Sequence, residues 1–293
     1  MDVADLKVFE AVSRLGSMNR AAAELHTVQS NITARIRALE QELGVVLFQR
    51  HPRGVTTTPA GLRVLPFVAR IAKLFADAQA AAADDGVPNG PLLLGSLETT
   101  TALRLAPLLS HFVKTYPLVR LAIVTGTTSR LLNDVVECRL DGAFVAGPIR
   151  HPDLHQEAIF HEELALVTAP DVVSPGALAR IADLKIVVFQ IGCSYRQRLE
   201  AVLAAMGIVV AKPLEFGSLD AIIGCVSAGV GVTLLPKSVV ASALGQGMVA
   251  VHDLPPDQVR VDTLFIRRHD GHVSSALSAF LDIARSRAAV HST

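Results

Sequence analysis

The feature that most limits what this chain can fold into is the run of residues 18–43, MNRAAAELHTVQSNITARIRALEQEL. Ser17 can accept from the orphan amides of a first helix, and Ala21, Ala22 and Leu25 give that helix a small-residue packing face. The chain breaks at His26, and Thr27 is a candidate cap for a second helix. Val28, Ile32, Ile36, Leu39 and Leu43 then recur at steps of three and four, which predicts one apolar stripe along a helix ending at Gly44. The rest of that helix offers Gln29, Ser30, Asn31, Thr33, Arg35 and Arg37. Short amide and hydroxyl side chains in the first half of a helix can reach base edges in a major groove, where Gln pairs with adenine in bidentate fashion. Helical spacing alone fits a plain surface helix as well as a DNA-reading helix-turn-helix.

The next segment separates these readings. LFQR and VTTT flank the turn HPRG, which predicts a small β-ribbon with Arg50 and Arg53 at its tip, the order of a winged helix-turn-helix. From Arg20 to Arg63 six arginines stand against three glutamates, a local charge of 6 − 3 = +3 that suits phosphate contacts by a dimer. The whole chain has no net charge, so a wholly basic nucleic-acid coat is excluded.

Beyond the ribbon, Thr58 can cap a helix with Pro59 in its first turn, and Leu62, Leu65, Ala69, Ala72 and Phe75 continue at helical steps to about residue 83. Pro66 inside it predicts a local kink. The helix is either a spacer or, as its amphipathicity favours, half of a pair formed with a second copy. DDGVPNG at residues 84–90 ends it and marks a hinge. From Pro91 onward short apolar runs (LLLG, LAIVT, GAFVA, ALVTA, IVVF, VTLLP, TLFIR) alternate with amphipathic stretches, which predicts parallel sheets covered on both faces. With 293 residues, 51% of them apolar, there is material for more than one core.

Across essentially its whole length the chain resembles the LysR-type transcriptional regulators, on NRAAAELHTVQSNITARIRALEQELGVVLFQR followed by TTTPAGLRVLP. One departure is visible, since Ala34 stands where many members carry Arg in the recognition helix. The resemblance implies an α/β protein with a winged helix-turn-helix (1–58), a dimerisation linker and hinge (59–90), and a two-lobed effector domain (91–293). Lobe I would take about 91–161 and 266–293 and lobe II about 162–265, with two crossing strands as a hinge, like a type 2 periplasmic-binding-protein fold. The partners expected are double-stranded DNA, a small-molecule effector, further copies of the chain as homodimer or homotetramer, and RNA polymerase as a further candidate.

In such sheets ligands bind where strands end and helices begin. That rule selects Ser96, Thr99, Thr100 and Thr101, then Thr127, Thr128 and Ser129, then Cys193 and Ser194, then Ser218. Each alone reads equally as a helix cap; four clusters converging on one cleft read as a site for a small carboxylate or other anion. The resemblance places effector contacts notably at Thr99, Thr127, Ser129 and Cys193.

No GxSxG, GxxxxGK, HExxH or CxxC occurs, and GVG at 229–231 lacks the third glycine of a dinucleotide fingerprint, so neither catalytic residues nor a cofactor is expected. His151 and His155 in HPDLH read as a surface loop rather than metal ligands, because Pro152 breaks a shared helical face. The competing reading is an enzyme or solute-binding protein on the same two-lobed scaffold. The start MDVADLKVFEAV is no secretion signal and no run of 18 apolar residues appears, so a cytosolic protein away from membranes is expected. Cys138, Cys193 and Cys225 are too few and scattered for a disulfide framework. Cys193, at a helix start near Arg196, could carry a lowered pKa and sense peroxide. Peroxide-sensing members have a second cysteine shortly after such a position, and this chain has none there, so a thiol lining the effector cleft is the favoured reading.

Overall fold

Helices and a two-stranded ribbon build the first of two units. The computed structural model describes residues 1–52, 54–181, 183–209 and 213–290, and contacts divide the chain into Met1–Asp84 with Glu137–Arg139, and Asp85–Val136 with Leu140–Thr293. Helix α1 (Val3–Leu15) starts in a capping box between Asp2 and Asp5 and ends at Gly16 in the left-handed region. Helix α2 (Met18–Glu24) is capped by Ser17, whose Oγ accepts from the Arg20 amide at 3.3 Å. Helix α3 (Gln29–Leu43) ends at Gly44, φ 67°.

The start of α3 differs from the sequence expectation. Its N-cap is Val28, not Thr27; the Thr27 hydroxyl instead accepts from Asn31 Nδ2 at 3.0 Å. Val28 at the cap and Leu43 in the last turn are exposed, so the buried stripe narrows to Ile32, Ile36 and Leu39. These meet Phe9, Val12, Ala21, Leu47 and Phe48 in one core, where truncating Ile36 to Ala would cost about 2–5 kcal/mol.

Strands β1 (Phe48–His51) and β2 (Gly54–Thr57) form the expected antiparallel ribbon. Glu40 on α3 accepts from the amides of Leu47 (2.7 Å) and Phe48 (3.2 Å), and the Val55 amide donates to Gly16 O at 2.9 Å. Gly54 is needed there: a Cβ would fall 2.6 Å from Gly16 O. Helix α4 (Pro59–Ala83) is capped by Thr58 and runs on through Pro66. Val68 packs into the core, while Leu62, Phe67, Ile71, Leu74 and Phe75 are exposed. The unpartnered stripe therefore follows Phe67, Ile71 and Leu74, not the register through Leu65, Ala69 and Ala72.

The second unit holds a seven-stranded sheet, β10-β6-β11-β5-β3-β4 with β9 also paired to β6, and a small β7–β8 sheet. Strand β3 (Gly90–Ser96) lies parallel to β4 (Val119–Thr125) and β5 (Gly142–Ala146). The rest of the large sheet is antiparallel, so the all-parallel expectation fails: β5 pairs β11 (Arg260–Arg268), and β11 pairs residues 154–163 of β6 (Leu154–Thr168). The last five residues of β6, 164–168, pair β9 (Thr233–Pro236) and β10 (Ala250–His252). The segment read as ALVTA is thus the tail of a 15-residue strand. Parallel β7 (Val187–Phe189) and β8 (Leu214–Phe216) complete the second lobe. The mixed sheet follows from these two long strands, which run between the lobes and need no crossover helix.

After β3 come α5 (Glu98–Thr100), a π turn (Thr101–Leu105) and α6 (Ala106–Thr115); α7 (Thr128–Val136) follows β4. Helices α8 (Ser194–Ala205) and α9 (Leu219–Ser227) follow β7 and β8, and α10 (Lys237–Gly245) and α11 (Pro256–Val259) follow β9 and β10. The last helix, α12 (Ser275–Val290), packs Phe280 against Phe112 (centroids 5.1 Å) and Phe144 in the first lobe's core, and Arg285 grips Glu157 of β6 at 2.7 and 2.8 Å. Among the described residues no helix is long and apolar enough to cross a membrane.

Candidate functional site

Two sites can be built, one in each unit. In the first, Gln29, Ser30 and Arg37 stand exposed on α3, and Gln29 Nε2 donates to Thr33 Oγ1 at 2.8 Å. Ala34 is exposed on the same face. Asn31 is tied back to Thr27. Arg35 has another occupation: its Nη1 lies 2.7 Å from Asp5 and 3.4 Å from Asp2, bracing α3 against the start of α1. These acids hold the guanidinium above its ordinary pKa, Asp5 most strongly. Arg50 is exposed on the ribbon, and Arg53 lies outside the described residues.

In the second unit a cavity of about 330 Å³ opens between the two lobes. Thr99, Thr127 and Thr128 line it from the first lobe, and Cys193 and Ser194 from the second. The other residues expected there do not line it. Ser96 is buried at the end of β3, its hydroxyl donating to Leu97 O, and Thr100 is buried on the inner side of its turn. Ser218 is exposed at the N-cap of α9, and Gly217 lines the cavity in its place. Ser129 faces a neighbouring groove, where its amide donates to Gly192 O across the lobes at 3.2 Å.

Sequence reasoning missed Glu98, Arg130, Tyr195, Phe189 and Phe216, all of which line the cavity. Arg130 carried a usable signal, being one residue beyond Ser129 in the first turn of a helix. Phe216 lies on a strand of three residues, too short to show an alternation. Tyr195 is buried, which pushes its phenol well above the ordinary tyrosine range, and the Thr99 side chain offsets part of that rise.

The surroundings of Cys193 favour a packed thiol over the sensor reading. Burial pushes the thiol up, and the backbone amides of Arg196 and Tyr195 and the Arg196 charge offset only part of that rise. Arg196 is itself spent on Glu215 at 2.6 Å and Glu200 at 3.0 Å. Cys225 is half-buried and packs against the second lobe's own core. His151 lies in a loop and accepts from the Asp153 amide, and no group of three potential metal ligands occurs among the described residues.

A bacterial regulatory helix-turn-helix profile of the lysR family matches residues 3–62, and the LysR substrate binding domain matches residues 85–289. This chain belongs to the LysR family. Curated LysR-type relatives include the HTH-type transcriptional regulator GltR of Bacillus subtilis, 42% identical over 96% of this chain and 95% of that protein. CzcR of Bacillus anthracis is 37% identical over 96% of each. Among solved structures, full-length OxyR from Pseudomonas aeruginosa superposes with TM-score 0.71 at 22% identity, over 98% of this chain and 94% of that one. CbnR complexed with its target DNA gives TM-score 0.65 at 25% identity, over 98% and 99%. The LysR assignment makes the chain a helix-turn-helix transcriptional regulator with an effector-binding domain, on a mixed α/β fold.

Proposed function

We propose that this regulator reads an interrupted two-fold DNA site through Gln29, Ser30, Thr33 and Arg37, with Arg50 on the phosphates, and alters its grip when a small molecule fills the interlobe cavity. The observation that carries the reading is the free polar face of α3, set beside a ribbon whose Arg50 is exposed. Arg35 is left out of the reading set because it is committed to Asp5. Thr99, Thr127, Thr128, Cys193 and Ser194 form the effector contacts on this view, and Arg130 adds a cation suited to a carboxylate.

Two-fold DNA requires two copies. Phe67, Ile71 and Leu74, spaced four and three apart and exposed on α4, supply a coiled-coil-like seam for the pairing, from which dimers or tetramers follow. The protein acts in the cytosol, alongside RNA polymerase, and needs no catalytic step. Gel shift on chromosomal fragments, with and without a metabolite panel, tests the reading. A specific shift that one compound changes is expected, and equal affinity for all fragments would refute it. Sedimentation of Ile71→Asp should yield a monomer that no longer discriminates sites; a wild-type-like oligomer would move the seam elsewhere.

A further inference from the structure

The charged side chains lining the interlobe cavity are of opposite sign. Glu98 opens α5 and Arg130 lies in the first turn of α7. The Glu98 carboxylate is half-buried, and among the described residues it takes part in no hydrogen bond or ion pair. Arg130 reaches Asp134 only at 3.7 Å, with its side chain 65% exposed. Among the described residues Glu98 is thus unpaired, and Arg130 is held only by that long contact and stays open to solvent, both at the wall of one cavity. A half-buried acid without a partner can take a ligand's cation without giving up another contact.

A simple anion answers only half of this arrangement. It would satisfy Arg130 but leave Glu98 unpaired and repelled, and a simple amine would do the reverse. The rest of the wall includes Leu97 and the cross-strand partners Phe189 and Phe216 of β7 and β8, an apolar surface for the body of the ligand. We propose that the effector is an amino acid with an apolar side chain, its ammonium facing Glu98, its carboxylate facing Arg130 and its side chain against Phe189 and Phe216. This inference rests on the cavity being the effector site.

The test is calorimetry on the full-length protein with L-leucine and L-phenylalanine, their deaminated acids 4-methylpentanoate and 3-phenylpropanoate, and the amines left by decarboxylation. At least one amino acid should bind, with its deaminated and decarboxylated analogues weaker by about tenfold or more. Glu98→Gln should weaken the amino acid by a similar factor while leaving the deaminated acid unchanged or tighter, and Arg130→Gln should do the same in favour of the amine. Such crossed preferences would not arise from a damaged fold.

Three results would overturn the proposal: deaminated acids binding the wild type as tightly as the amino acids, unchanged amino-acid affinity in Glu98→Gln, or no binding of either amino acid at about 10 mM. A gel shift that still responds to some other metabolite would then show that the regulator reading stands and only the ligand class is wrong.

Discussion

Gln29 Nε2 donates to Thr33 Oγ1 at 2.8 Å, one turn further along α3. The bond holds the amide of Gln29 on the exposed face before DNA arrives, so less side-chain freedom is lost on binding. Gln29→Ala and Thr33→Ala should each cost about 1–3 kcal/mol of discrimination between operator and random DNA and leave nonspecific affinity largely intact. Competition gel shifts measure this, and equal losses on both DNAs would remove these residues from base reading.

Arginines on α3 and the ribbon should separate into two behaviours. Arg50→Ala should weaken binding to every sequence and lower the salt slope by about one. Arg35→Ala should instead lower the melting temperature, because Asp5 and Asp2 lose their partner, and leave the salt slope unchanged. A reduced slope in Arg35→Ala would return that residue to the DNA surface.

Thr99→Val removes a buried hydroxyl from the cavity wall beside the Tyr195 phenol. Effector affinity should fall, and the effector domain should lose about 1–3 kcal/mol of stability. Ser129→Ala, outside the cavity, should change affinity much less. Gly192→Ala should blunt the effector response more than Ser129→Ala does, since Gly192 sits at φ 95° and a Cβ would lie 2.9 Å from Ser129 Cβ. Melting curves and calorimetry on the three variants give the order, and a Ser129→Ala loss equal to that of Thr99→Val would enlarge the site.

Cys193 should behave as a packed thiol. With its pKa above the ordinary cysteine range, the reactive thiolate is scarcer at neutral pH than in a free cysteine and becomes abundant only at higher pH. Iodoacetamide should label it slowly, with a pH midpoint above that of a free thiol, and Cys193→Ser should disturb effector binding more than any peroxide response. Operator binding that changes with sub-stoichiometric peroxide in the wild type, and not in Cys193→Ser, would reverse this ranking.

The helix-turn-helix was legible because its signals are local: Ser17, the steps from Ile32 to Leu39 and Gly44 all act within a few residues of themselves. What was lost lay at longer range. Arg35 read as a base contact because its partner Asp5 is 30 positions away. The part of β6 from 154 to 163 carries Glu157, His161, Glu162 and Glu163, and it becomes a strand only through pairing with β11 about a hundred residues later, which no window could register. In the cavity the strand-to-helix rule found the hydroxyls but not the walls, because Phe189 and Phe216 become neighbours only once β7 and β8 pair.

Strand β6 has a consequence for how this domain can vary between genes. Leu164 and Leu166 enter the core that spans both lobes, while Val167, on the opposite face, enters the second lobe's own core. Inserting or deleting a single residue mid-strand would exchange those faces all the way to its end. A recombination joint between the lobes would have to cut both β6 and β11 in phase to keep their pairing. Point substitutions around the cavity leave both strands in phase, whereas trading lobes between regulators puts both at risk.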